Sequence, residues 1–106
     1  MLTVIESPLF TKCWPEYWSE EERAEFAVFI ANAPKAGDVI PGSGGCRKIR
    51  WTRPGMGKRG GVRVIYTTQL IMGVVVLLVI YPKSVRDNIP AHVLKQIAEE
   101  MGHATS

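Results

Sequence analysis

Nine cations crowd one stretch of this chain with no carboxylate among them. Between Asp38 and Asp87 lie Arg47, Lys48, Arg50, Arg53, Lys58, Arg59, Arg63, Lys83 and Arg86, so that segment carries +9. The rest holds four basic and ten acidic residues, or −6, and the net charge of +3 conceals the segregation. Guanidinium and ammonium groups bind phosphate through charge-assisted hydrogen bonds, and a polyanion gathers them without base sequence having to be read. Cations held together without counter-charges repel one another unless an anion sits among them. Charge alone leaves two readings open, a nucleic-acid surface and a solvated basic face with no ligand.

Spacing narrows the set. In Cys46–Trp51 a strand period of two puts Lys48 and Arg50 on one face and Arg47, Ile49 and Trp51 on the other. Arg63 falls on the next strand, where it can lie beside them. Lys83 and Arg86 follow the third strand, whose end can border the same surface. Arg53 leads into a glycine-rich loop, residues 54–61, that carries Lys58 and Arg59. Residues 55–60 spell G-x-G-x-x-G, but here the glycines join two antiparallel strands rather than a parallel strand to a helix, so a dinucleotide site is not expected. A hairpin loop that brings Lys58 and Arg59 to a phosphate backbone fits better. Tyr66 and Tyr81 offer aromatic faces for a base, although a tyrosine in so apolar a strand is more often core with its hydroxyl at the rim. His92 and His103 have no context that marks a general base. Cys13 and Cys46 share no metal-ligand or nucleophile pattern with them. Neither a metal nor a cofactor is expected.

The elements that must hold these residues read as follows. A chain of 106 residues supports one domain, residues 1–106, and its 46% hydrophobic content is enough for a core. Thr3-Val4-Ile5 is β-prone. Ser7-Pro8 reads as a helix cap followed by proline at the first helical position, with a break near Pro15. Ser19 and Glu22 have capping-box spacing ahead of a second helix, whose stripe is Phe26, Phe29, Ile30 and Ala33 and whose stop is Pro34. Cys46–Trp51, Val62–Leu70 and Val74–Tyr81 follow as an antiparallel meander turned at Met72-Gly73. Asn88 and Pro90 start a last helix, with Val93, Leu94, Ile97 and Met101 on one side and Gly102 to end it. The class is α+β. The longest apolar run, Leu70–Tyr81, is twelve residues against the roughly 20 that cross a bilayer, so a cytoplasmic protein without membrane contact is expected.

Gly45-Cys46-Arg47-Lys48-Ile49-Arg50-Trp51, then Gly61-Val62-Arg63-Val64-Ile65-Tyr66, then Leu77-Leu78-Val79-Ile80-Tyr81-Pro82-Lys83 resembles, in that order, the RelE/HigB family of type II toxins, most closely its HigB-type branch. With Ala36–Gly42 and the second helix, the resemblance covers most of the chain. It implies a RelE-like twisted antiparallel sheet flanked by two N-terminal helices and one C-terminal helix. The implied activity is a ribosome-dependent endoribonuclease, an mRNA interferase that cuts messenger RNA in the ribosomal A site and so inhibits translation. The implied partners are the ribosome, mRNA and a cognate antitoxin of helix-turn-helix type, with operator DNA met only through that antitoxin. The family's functional residues are basic ones on the sheet and at strand ends. They carry over to Lys48, Arg50, Arg63 and Lys83 as the catalytic set, with Arg47, Arg53, Lys58, Arg59, Arg86 and Tyr81 as RNA contacts. In-line attack by the RNA 2′-hydroxyl then needs Arg50 and Arg63 on the scissile phosphate and Lys48 or Lys83 to handle protons. Two other readings use the same cations: a non-catalytic nucleic-acid-binding module, and an inactive toxin homologue that serves as an antitoxin-binding co-repressor.

Overall fold

Both N-terminal helices begin where the sequence supplies a cap. Ser7 accepts the Phe10 amide at 3.0 Å and Pro8 takes the first helical position of α1, Pro8–Cys13. Pro15 converts the continuation into a 3₁₀ turn, Trp14–Glu16, as expected of a residue that cannot donate a helical hydrogen bond. The Ser19 hydroxyl accepts the Glu22 amide and the Glu22 carboxylate accepts the Ser19 amide, opening α2, Glu20–Asn32. These elements belong to a computed structural model that describes residues 2–52, 61–83 and 89–105, the last four as backbone only.

The meander is present as β3 (Arg47–Trp51), β4 (Val62–Gln69) and β5 (Val74–Pro82), once β1 (Thr3–Glu6) and the two-residue β2 (Asp38–Val39) are counted ahead of it. The sheet order is β1-β5-β4-β3-β2. It differs from the expected all-antiparallel sheet because β1 lies parallel to β5, with Thr3 opposite Val74 and Glu6 opposite Leu77. A meander alone would leave β5 at an edge. With β1 outside it, β5 is a central strand, the position that the run Val74–Tyr81, apolar on both faces, requires. Between β4 and β5 the turn Leu70–Met72 ends on Gly73, whose φ of 71° is left-handed and suits glycine.

Helices cover the two faces of the sheet. Phe10, Trp14, Trp18, Phe26 and Ile30 pack on Val62, Val64, Tyr66, Val75, Leu77 and Ile80. On the other face α3, Ala91–Thr105, sets Leu94, Ile97, Ala98 and Met101 against Ile65, Val76, Leu78 and Val79. Fully buried side chains such as Phe10, Phe26, Ile30 and Leu94 contribute roughly 1.5–3 kcal/mol each. Gly102 does not end α3, contrary to expectation; a glycine inside a helix costs only about 1 kcal/mol and the helix runs through it. Pro90 stands just ahead of α3 and accepts the Val93 and Leu94 amides, while Asn88, the other expected start signal, lies outside the described residues. Among the described residues no helix is long and apolar enough to cross a membrane.

A bulge in β5 decides which side chains share a face. Ile65 pairs with Val79 and Tyr66 with Leu77, so Leu78 has no partner on β4. Ser7 fills the gap: its amide donates to the Leu77 carbonyl at 2.8 Å and its hydroxyl to the Leu78 carbonyl at 2.7 Å. Beyond the bulge the alternation changes phase, and Tyr81 emerges on the α3 face with Val79 and Ile65.

Candidate nucleic-acid interface

The β3–β4–β5 register builds a row across the α3 face. Arg50 stands directly opposite Arg63, and Arg63 directly opposite Tyr81. Lys48 is opposite Ile65 in the next row on the same face. Arg50 is exposed, while Lys48, Arg63 and Tyr81 are half-buried. Arg23, at the start of α2, forms ion pairs with Glu6 and Glu20. Among the described residues Arg50 and Arg63 have no carboxylate partner, while Lys48 stands opposite Asp38 of β2 in the sheet register. Arg63 also carries a buried Nη1 with no acceptor among the described residues. Like charges opposite each other on neighbouring strands and a guanidinium donor without an acceptor both cost free energy, and one anion seated on the row removes both costs.

Burial pushes the Tyr81 hydroxyl above its ordinary pKa, and the nearby Arg63 charge opposes part of that rise. The phenol is therefore neutral at physiological pH and is a hydrogen-bond donor beside Arg63. Between the sheet and the start of α3, Lys48 and Tyr81 line a cleft of about 160 Å³ with Ile40, Ile65, Ile89 and Leu94. Among the described residues no carboxylate or imidazole lines it.

The structure thus gathers Lys48, Arg50, Arg63 and Tyr81. Lys83 lies one residue beyond β5, exposed, with its amide donating to the Gly61 carbonyl at 3.3 Å, so it borders the end of the row. A side chain at Gly61 would run into the Trp51 backbone, which explains a glycine where β3 and β4 converge at the loop. Arg47 stands apart. It faces the α2 side, opposite Tyr66, and its Nη1 donates to the Gly37 carbonyl at 2.7 Å and the Lys35 carbonyl at 3.4 Å. Tyr66 is fully buried; its hydroxyl accepts the Gly37 amide and donates to the Pro34 carbonyl, so it holds the α2–β2 connection and offers no face to a base. Arg53, Lys58, Arg59 and Arg86 lie outside the described residues, as does the G-x-G-x-x-G loop. Sequence reasoning missed the apolar floor of the cleft. Ile40, Ile89 and Leu94 come from three separate segments, and no spacing in the chain signals their meeting.

No protein-family model matches this chain. Solved structures do. The chain is similar to a chain of the intact E. coli RelBE toxin–antitoxin complex at TM-score 0.60 and 20% identity, over 81% of this chain and 100% of that one. It is similar to E. coli toxin RelE in the free state, a mutant with two arginines changed to alanine, at TM-score 0.60 and 17% identity, over 94% and 96% of the two chains. The isolated E. coli RelE toxin gives TM-score 0.59 and 18% identity over 95% and 99%. At these identities the likeness establishes the fold: three helices and a five-stranded mixed sheet, α+β, as in RelE.

Proposed function

We propose that this chain is the toxin of a type II toxin–antitoxin pair, an endoribonuclease of the RelE kind that cleaves messenger RNA in the ribosomal A site. The observation that carries the reading is the row Arg50, Arg63, Tyr81, cationic and, among the described residues, without a paired carboxylate and with one guanidinium donor lacking an acceptor. In the reaction the 2′-oxygen attacks the adjacent phosphorus in line and the bond from phosphorus to the 5′-oxygen breaks. The products are a 2′,3′-cyclic phosphate and a free 5′-hydroxyl. Arg50 and Arg63 hold the non-bridging oxygens, whose charge grows in the transition state, and donors already in place there need no reorganisation. One proton leaves the 2′-hydroxyl and one reaches the 5′-oxygen; Lys48, in the cleft beside Tyr81, and Lys83, at the strand end, are the groups to exchange them. The ribosome supplies alignment by holding the message. The antitoxin partner is supported by the fold shared with the RelBE complex. Its helix-turn-helix type, operator binding through it, the HigB-type branch and a cytoplasmic location rest on the sequence resemblance.

The test is product chemistry. Message translated in the presence of the protein is expected to yield fragments with 5′-hydroxyl ends that accept phosphate from a kinase without prior dephosphorylation; 5′-phosphate ends refute the in-line mechanism. One observation favours a second reading. Among the described residues the cleft lining offers no carboxylate or imidazole as a base, which suits a binding module that only grips phosphate. Salt-sensitive RNA binding with intact message in every reaction selects that module.

A further inference from the structure

Three large hydrophobic side chains that stand exposed are consecutive. Leu70, Ile71 and Met72 form the turn from β4 to β5 at 46%, 102% and 65% exposure, so the Ile71 side chain stands wholly in solvent. The turn is held in shape: the Gly73 amide donates to the Leu70 carbonyl at 3.1 Å, and the Gly73 carbonyl accepts the Thr3 amide at 2.8 Å. Covering a knob already fixed in this way costs little ordering entropy. Single scattered apolar residues are ordinary on a surface, whereas a contiguous apolar patch marks a contact. No residue from Val64 to Pro82 is charged, so the turn brings no cation of its own to a phosphate of RNA or of a lipid. Its strand, β4, runs six residues from Arg63 to Gln69, roughly 20 Å at strand rise, which sets the knob at the end of the sheet away from the cationic row. An apolar protein surface is the occupant that its chemistry suits.

The same chain carries such a surface. Where the start of α1 meets the second half of α3, Pro8, Leu9, Ile97 and Met101 line a groove of about 210 Å³, with buried Ser7 and the exposed Glu100 completing the lining. Leu9 is 43% exposed there. The groove is of the scale of aliphatic side chains. Strand β1 ties the two features together. The Thr3 amide bonds the Gly73 carbonyl beside the knob, and the Ser7 amide bonds the Leu77 carbonyl beside the groove, four residues of β5 or roughly 13 Å further on.

We infer that the Leu70–Met72 knob of one copy seats in the α1–α3 groove of a second copy, whose own knob returns the contact, giving a two-fold dimer. A two-fold interface is self-complementary, each surface meeting the other's counterpart. A knob seated in a groove without that return would pass from copy to copy and build fibres, and the reciprocal contact closes the pair instead. Two contacts of a few side chains each make an interface below the roughly 1,200 Å² of stable complexes, so the dimer forms weakly and with rising concentration. The cationic rows stay uncovered at the far ends of the two sheets. The inference does not rest on the nuclease reading.

The test is sedimentation equilibrium of the full chain over a range of concentrations. The expected mass climbs from one chain to two and stops there. Ile71→Asn, on the knob, and Leu9→Asn, in the groove, are each expected to weaken association by about tenfold or more, with circular dichroism confirming the fold and RNA affinity unchanged. Chains carrying Leu9→Cys and chains carrying Ile71→Cys, both also Cys13→Ser, are then mixed under mild oxidation. The mixed disulfide is expected in excess over both like pairs, because knob meets groove. A single chain at every concentration, growth beyond two chains, a dimer that survives either asparagine, or like-pair disulfides in excess overturns the inference. A native chain that stays single while Ile71→Asn loses antitoxin binding assigns the knob to the antitoxin and overturns it as well. The outcome is separable from the nuclease reading. A closed dimer of a protein that never cuts message upholds this interface and rejects the nuclease, and a single chain that cuts does the reverse.

Discussion

Replacing Arg63 by methionine should make this protein more stable and less able to hold RNA. The expected gain follows from two costs that the native residue carries. Its buried Nη1 has no acceptor among the described residues, a deficit worth roughly 1–3 kcal/mol. It also faces Arg50 directly across the strands, and a like-charged cross-strand pair costs roughly 0.2–1 kcal/mol. Methionine keeps an unbranched apolar stem of similar reach, so the packing of the Arg63 stem is largely retained. The net expectation is stabilisation by about 1–3 kcal/mol. At roughly 4 °C per kcal/mol for a domain of this size, Tm rises by about 4–12 °C. The assay is thermal unfolding at low salt, for the native protein and Arg63→Met, with and without a single-stranded RNA. RNA at a hundred times its Kd should add about 2.7 kcal/mol to the native protein and much less to the variant. A variant less stable than the native chain by more than about 1 kcal/mol would show that Arg63 is there for the fold, and the argument from its unsatisfied donor would collapse.

Tyr66→Phe leaves the Gly37 amide and the Pro34 carbonyl without their partner and is expected to cost about 2–4 kcal/mol in urea unfolding. Burial raises the Tyr66 pKa above its ordinary 10.0, so the neutral phenol favours the folded state below pH 10 and that contribution is lost as pH rises through the higher folded value. Tm should therefore fall above pH 10, less steeply in Tyr66→Phe, and equal slopes contradict the assignment. Ser7→Ala removes both the α1 cap and the donor to Leu78 at the bulge; a loss of about 1–3 kcal/mol is expected by the same unfolding assay, and a loss below about 0.5 contradicts it. RNA affinity plotted against salt on logarithmic axes should lose about 0.7 of slope for each of Lys48, Arg50 and Arg63 neutralised, while Arg47→Gln, whose guanidinium already serves two backbone carbonyls, should leave the slope nearly unchanged.

The cationic face was legible because a strand alternates strictly. Lys48 and Arg50 share a face in any straight strand, and antiparallel pairing of β3 with β4 brings Arg63 beside them. Helix starts at Ser7 and Ser19 were equally legible, since each cap is local chemistry between residues three apart. Tyr81 was harder. Counting by twos from Val74 sends it to the α2 face, and the run VVVLLVIY is apolar in either phase, so nothing in it marks Leu78 as the bulged residue. The signal sits seventy-one residues away, in a serine that reads only as a cap. The parallel placement of β1 was hidden for a related reason: four residues pair with a strand seventy-one positions on, and no turn or spacing announces it. Arg47 looked like its neighbours in charge, but its partners are backbone carbonyls of a loop, which leave no mark in residue type.

Primer extension on a defined message in a translating extract bears most directly on the central claim, that the Arg50–Arg63 row carries a ribosome-dependent nuclease. The native protein, Arg63→Ala and a reaction with the same message but no ribosomes are compared, with folded protein verified in each. Cuts within the translated frame that require both ribosomes and Arg63 are the predicted result. Cuts of equal strength with Arg63→Ala, or an intact message in every lane while the protein binds RNA, would contradict it.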